Sequence, residues 1–161
     1  SVLFFFFFEE AANAALPTSG AVLLTFAERD RGGEDPATPG GQIVQAARTF
    51  VAAGMTIRAT GGTAQFLARH GIESRTILKI HEGRPNIQDA IINGDIQLVV
   101  NTPSGTSSEH DDAYIRKAAI RARVPYVTTT AAALAAARGI KAAKNDTDEI
   151  KSLQEYHALL K

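Results

Sequence analysis

Residues 79–105 read KIHEGRPNIQDAIINGDIQLVVNTPSG. Lys79 and Ile80 close an apolar stretch that begins at Arg75, and Glu82-Gly83-Arg84-Pro85 has turn chemistry. Asn86 to Asn93 places Ile87, Ile91 and Ile92 at helical spacing, and Gly94 stops the run. A second strand, Ile96 to Asn101, empties into the polar loop Thr102 to Gly105. Strand, helix and strand in this order describe one crossover unit, which brings both strand ends to the same edge of a parallel sheet. A cation, an amide, hydroxyls and a glycine meet there, which is the make-up of a small-anion pocket.

The rest of the chain repeats the alternation. Ala21 to Phe26 is a buried-type strand, Ala27 to Gly41 a charged loop rich in glycine and proline, and Gln42 to Ala53 a helix ended by Gly54. Met55 to Ala59 is a strand, Thr60-Gly61-Gly62-Thr63 a turn, and Ala64 to His70 a helix ended by Gly71. Arg75 to Ile80 is the third strand and Ile96 to Asn101 the fourth. Asp111 or Asp112 caps a helix Ala113 to Arg123, and Pro125 to Thr129 is the fifth strand. Ala131 to Arg138 is a helix stopped by Gly139, and Ser152-Leu153-Gln154-Glu155 is a capping box opening a last helix. The expectation is α/β: a doubly wound three-layer sandwich with a five-stranded parallel sheet.

Composition narrows the classes. The 161 residues are 45% apolar, enough for a real core, and 17 basic residues balance 17 acidic ones. No net positive field draws the chain to nucleic acid or an anionic membrane. With no cysteine there are no disulfides, thiol nucleophiles or thiolate-bound zinc, which fits a reducing cytoplasm. Val2 to Phe8, with five consecutive phenylalanines, is too short to span a bilayer and lacks the basic start of a signal peptide. Residues 1–20 read as a remnant of a preceding helix and a linker, and residues 21–161 as the domain.

In doubly wound sheets ligands sit outside the carboxyl ends of the strands. Thr25, Thr60, Gly61, Gly62, Thr63, Lys79, Asn101, Thr102, Ser104 and Gly105 fall there, with Thr128 to Thr130 beside them. In the Thr60–Thr63 turn, glycines allow close backbone approach, and free N–H groups at the helix start suit phosphate or carboxylate. An ordinary turn, with threonine as a cap, uses the same residues. Neither a P-loop nor a dinucleotide fingerprint is present. His81, Glu82 and Asp89 match no metal spacing and read as a structural turn, with Arg84 and Glu82 paired to neighbours. His110-Asp111-Asp112 reads as an acid–base cluster or as a plain helix start, and His157 as a surface residue.

Leu16 to Gly20, Ala59 to Ala64, the run Lys79 to Asp89 with its HEGRPNIQD core, Asn93-Gly94 and Asn101-Thr102 together resemble one family. It is the C-terminal regulatory domain of the carbamoyl-phosphate synthase large subunit, of methylglyoxal-synthase-like fold. The resemblance implies a domain that is allosteric and not itself catalytic, within an ATP-dependent ligase. It implies nucleotide effectors, UMP as inhibitor and IMP as activator, with ornithine acting near the border. Thr60, Thr63, Lys79 and Asn101 would hold phosphate. ATP, magnesium and potassium would bind elsewhere in the subunit, with a glutaminase small subunit as partner, serving pyrimidine and arginine biosynthesis in the cytoplasm.

Two positions depart from the family pattern. No lysine follows the first strand, where only Arg29 and Arg31 offer a cation, and Pro103 replaces a threonine. A structural domain without a ligand is therefore a competing expectation. A free-standing methylglyoxal synthase would need a Gly-Gly-Asp-Gln-Gln run where Pro85 to Asp89 stands, and an IMP cyclohydrolase would need lysine-rich motifs; neither is present.

Overall fold

Short strands, each followed by a helix, build a sheet whose central strands are buried on both faces. The computed structural model describes residues 16–103 and 109–160, without the side chains of Glu109, His110 and Glu149. Residues 1–15, most of the expected N-terminal remnant, and Ser104 and Gly105 of the expected site therefore lie outside the described residues. The strands are β1 (Ala21–Thr25), β2 (Thr56–Ala59), β3 (Arg75–Thr76), β4 (Leu98–Asn101) and β5 (Tyr126–Val127). All pairings are parallel, in the order β3-β2-β1-β4-β5. The chain direction across the sheet reverses between β1 and β4, where Thr25 and Asn101 are register partners. That is the switch point at which such sheets open a crevice.

Helices α1 (Pro39–Ala52), α2 (Gly61–Arg69), α3 (Ile87–Ile92), α4 (Glu109–Arg121) and α5 (Thr130–Leu159) cover the two faces. Alternate residues along β1 sort the core. Val22 and Leu24 join Ile43, Phe50, Phe66, Leu67 and Ile140 on one side, whereas Leu23 joins Ile87, Ile91 and Ile115 on the other. Phe50 and the three β1 side chains are fully buried, so the sheet is covered on both faces by helices, as an all-parallel sheet requires.

Several element boundaries differ from expectation, each for a local reason. α1 starts at Pro39 because the Thr38 hydroxyl accepts from Gly41 N–H at 3.1 Å and proline suits the first helical position. Gly41 is required by contact: a Cβ there would run into the Asp35 carbonyl. β3 ends at Thr76 instead of Ile80, since only a single bridge from Leu78 to Asn86 continues it and Lys79 opens a 3-10 turn over Ile80–Glu82. Ile92 was expected inward but is 58% exposed; Ala90 takes its place beside Ile87 and Ile91, three and four residues along the helix.

α4 begins at Glu109, so Asp111 and Asp112 lie inside its first turn and neither caps it. α5 runs through Gly139 as one 30-residue helix, and Ser152 to Glu155 lies inside it and opens nothing. A lone glycine costs a helix only about 1 kcal/mol relative to alanine. Burial of Ala136, Ala137 and Ile140 in the core shared with α1 outweighs that.

Candidate functional site at the strand ends

The Thr60 to Thr63 turn distinguishes a plain helix cap from an anion seat. Thr60 is the N-cap of α2 with extended backbone, yet its side chain makes no capping bond. Its hydroxyl donates instead to Thr25 Oγ1 across the β1–β2 boundary, 3.0 Å away in the interior. Gly61 and Gly62 form the first turn of α2 and do not precede it, and its first N–H groups have no side-chain acceptor among the described residues. Arg31, at the end of the 3-10 turn Glu28–Arg31, lays its guanidinium against Gly62. A Cβ at position 62 would displace that guanidinium from where it lies, so glycine here permits the approach of a cation to a helix N-terminus. Arg31 Nε is buried without a hydrogen-bond partner among the described residues.

The backbone just after β1 anchors two more hydroxyls. Phe26 N–H donates to Thr63 Oγ1 at 3.0 Å, and Ala27 N–H donates to Thr102 Oγ1 at 2.8 Å. Each oxygen thereby accepts one bond and keeps its own O–H to give. Thr102 N–H donates to the Thr25 carbonyl at 3.1 Å, which ties the ends of β1 and β4. Arg29 fastens the loop after β4 by donating to the Pro103 carbonyl at 2.6 Å. The two arginines expected to compensate for the absent lysine thus occupy different places: Arg31 at the helix start and Arg29 on the loop.

Acidic groups from α4 complete the crevice. Asn101 Nδ2 donates to Asp112 Oδ1 and to the Tyr126 hydroxyl oxygen, each at 2.9 Å. Burial pushes the Tyr126 phenol above its ordinary pKa. The Asn101 hydrogen bond pulls it down, and the Asp112 carboxylate pushes it up again. Asp111 Oδ2 lies 2.6 Å from His81 Nδ1. Lys79, Thr25, Asn101, Thr102, Asp111 and Asp112 line a cavity of about 30 Å³. At roughly 10–15 Å³ of water-accessible space per molecule, the crevice holds about two waters. A larger space of about 640 Å³ is an open groove between α2 and the edge strand β3. Among the described residues its only charged lining residue is Glu73, so its size does not make it an anion site.

The structure therefore brings Thr25, Thr60, Thr63, Lys79, Asn101 and Thr102 to one region, with Gly61 and Gly62 at its border. Lys79 arrives from a 3-10 turn and not from a strand end. Thr129 and Thr130 are used elsewhere, Thr129 as the cap of α5 and Thr130 donating to Gln42 at 2.6 Å. Tyr126 was missed, for nothing local marks a tyrosine as the neighbour of an asparagine on the adjacent strand. Among the described residues no group of three or more His, Asp and Glu could hold a metal ion. No described helix is long and apolar enough to cross a membrane.

Together these features define a doubly wound α/β domain with Thr25, Thr60, Thr63, Asn101 and Thr102 buried at or beside the β1–β4 switch point. The chain belongs to the MGS-like domain family, whose family model matches residues 42–128. It is 42% identical over 92% of its length to the carbamoyl phosphate synthase large chain of Archaeoglobus fulgidus, of which it spans 13%. It is 40% identical over 91% of its length to the carbamoyl phosphate synthase large chain, C-terminal section, of Aquifex aeolicus, of which it spans 26%. The likeness to the large chain of Gemmatimonas aurantiaca is 42% over 94% of this chain and 13% of the relative.

Proposed function

We propose that this domain binds a nucleotide effector such as UMP or IMP and regulates carbamoyl phosphate synthesis within a large subunit, in the cytoplasm. The carrying observation is the uncapped start of α2, where Thr60 forgoes its cap and Arg31 stands against Gly62. Unpaired helix N–H groups and an adjacent cation attract a phosphate. Thr63 and Thr102 supply hydroxyl donors, and Lys79 adds charge from the far side. In this reading the domain catalyses nothing itself. ATP, magnesium and potassium bind elsewhere in the subunit, and a glutaminase small subunit is a partner of the whole protein. The arrangement of Asp89 agrees: Arg84 holds its carboxyl below the usual carboxylate pKa, which makes it a poor general base.

The narrowness of the crevice supplies a coupling mechanism. A phosphate, with five non-hydrogen atoms, needs more room than the two or so waters the crevice holds, and Asp111 and Asp112 present like charge to it. Binding requires the first turn of α4 to withdraw, breaking the Asp112–Asn101 and Asp111–His81 contacts. An effector then shifts α4 by its differential affinity for the two positions, and α4 passes that preference to its surroundings.

The same carboxylates favour a second reading, a structural domain that binds no anion. Calorimetric titration with UMP and with IMP separates the two. The regulatory reading expects saturable, salt-sensitive binding, lost in Thr63→Ala, weakened at least tenfold in Arg31→Ala, and tightened in Asp112→Asn. No heat from a folded sample up to about 1 mM of either nucleotide leaves the structural reading.

A further inference from the structure

The second half of α5 has no cover among the described residues. Its first half packs Ala133, Leu134, Ala136, Ala137 and Ile140 into the core beside α1. The last anchored contact is Lys144 Nζ, which donates to the Ala53 carbonyl at 2.7 Å. Beyond it, from Asn145 to Leu160, every side chain whose burial is described is exposed. Ile150, Leu153, Tyr156 and Leu160 are 56%, 59%, 60% and 66% exposed and recur at helical spacing on one side. A soluble domain rarely leaves such a stripe bare.

Leu16 shows what reaches this stripe. It packs against the core, and its Cδ1 lies 3.5 Å from where a Cβ on Gly139 would stand. Gly139 sits about three turns before Ile150, on the same line along the helix. The described chain therefore begins on the side of α5 that carries the apolar stripe. It begins near the end of the sheet where β1 starts, since Leu16 precedes Ala21 by a short irregular link. The projecting half of α5 leaves from that same end, because Lys144 meets Ala53 just ahead of β2.

Residues 1–15 precede this point and read SVLFFFFFEEAANAA, with the apolar run Val2 to Phe8. Fifteen residues at a helical rise of about 1.5 Å each would span about 22 Å, the length of α5 from Gly139 to Leu153. We infer that the segment Val2–Ala15 of this chain docks along the α5 stripe from Gly139 to Leu153, antiparallel to it, and buries Ile150 and Leu153 under the phenylalanines.

Cross-linking within the full chain tests this, because it contains no native cysteine. In the double variant Phe5→Cys with Ile150→Cys, a short bismaleimide is expected to join the two thiols within one molecule, at a yield independent of protein concentration. Two control pairs keep Phe5→Cys and place the partner at Lys151→Cys, on the other side of α5, or at Ala135→Cys, further up the helix. Both controls are expected to give at least tenfold less intramolecular product. Equal yields in all pairs, a preferred link to position 135, or products joined only between molecules would overturn the assignment; the last outcome means that a second copy covers the stripe. Hydrogen exchange provides the independent readout. Phe5→Asp with Phe8→Asp is expected to speed amide exchange from Asp146 to Leu159 at least tenfold while Ala133 to Ile140 stays protected. Unchanged exchange in the projecting half also overturns it.

Discussion

The Thr60–Thr63 turn and the Lys79–Asp89 turn lie near the same edge of the sheet, yet they use their polar groups in opposite ways. In the second, nearly every group is satisfied from within. Lys79 N–H donates to Glu82 Oε1 at 2.8 Å, and Glu82 N–H donates to the Lys79 carbonyl at 3.0 Å. Arg84 pairs with Asp89. Asp89 also accepts from Asn86 N–H at 2.9 Å, while Asn86 Oδ1 accepts from Gln88 and Asp89 N–H and its amide donates to the Gly83 carbonyl. Of its polar groups, Lys79 at the start is the described one that lines the crevice, beside the apolar Ile87. The first turn instead leaves its helix N–H groups uncapped and sends its hydroxyls sideways. The run HEGRPNIQD is distinctive as sequence because many local contacts depend on one another. The less distinctive TGGT run is where donors remain unspent among the described residues.

Asn86→Ala should cause the largest change. It removes the cap of α3 and strands the Gly83 carbonyl, and Asn86 is only 5% exposed, so about 2–3 kcal/mol of stability should be lost in urea unfolding. Effector affinity in the variant that remains folded should change less than twofold. A large loss of affinity there would make the second turn part of the ligand site and dissolve the contrast.

Thr60→Val should act the other way round. Losing the hydroxyl bond to Thr25 should cost about 1 kcal/mol of stability, while nucleotide binding falls at least tenfold because Thr25 loses the partner that orders the crevice. Stability loss without loss of binding, seen by paired urea and calorimetric measurements, would reduce the first turn to a structural element.

The smallest effect is that of Asp89→Asn, and it depends on pH. The folded carboxyl titrates below its ordinary value, through Arg84 first and the Asn86 N–H next. The stabilisation is present above the unfolded-state pKa and disappears as pH falls through the folded one. Parent and variant should therefore differ in melting temperature at neutral pH and converge in acid. A difference that persists unchanged below the carboxylate range would show that packing, and not charge, holds this turn.

Much of this was legible in the residues. The alternation of apolar runs with glycine-stopped helical patterns gave the parallel sheet, because each signal is a matter of neighbours a few positions apart. Thr25, Thr60, Lys79 and Asn101 were placed by the rule that ligands collect at strand ends. The role of Asp111 and Asp112 was not legible, for a pair of aspartates at a helix start satisfies the helix dipole equally well when turned to solvent. The length of α5 was misread at Gly139, where burial of the neighbouring turn outweighs a weak local preference.

The sequence by itself determined the class of fold, the order of its elements and the residues available at the strand ends, since periodicity and turn chemistry act over short distances along the chain. Tertiary structure alone decided how those residues are spent. Thr60 turns to Thr25, Arg31 to Gly62, and Asn101 to Asp112 and Tyr126, only because the sheet order sets β1 between β2 and β4 and packs α4 over their ends. A side chain's choice among several possible partners depends on which of them packing brings within reach, and partners so far apart in sequence leave no local mark.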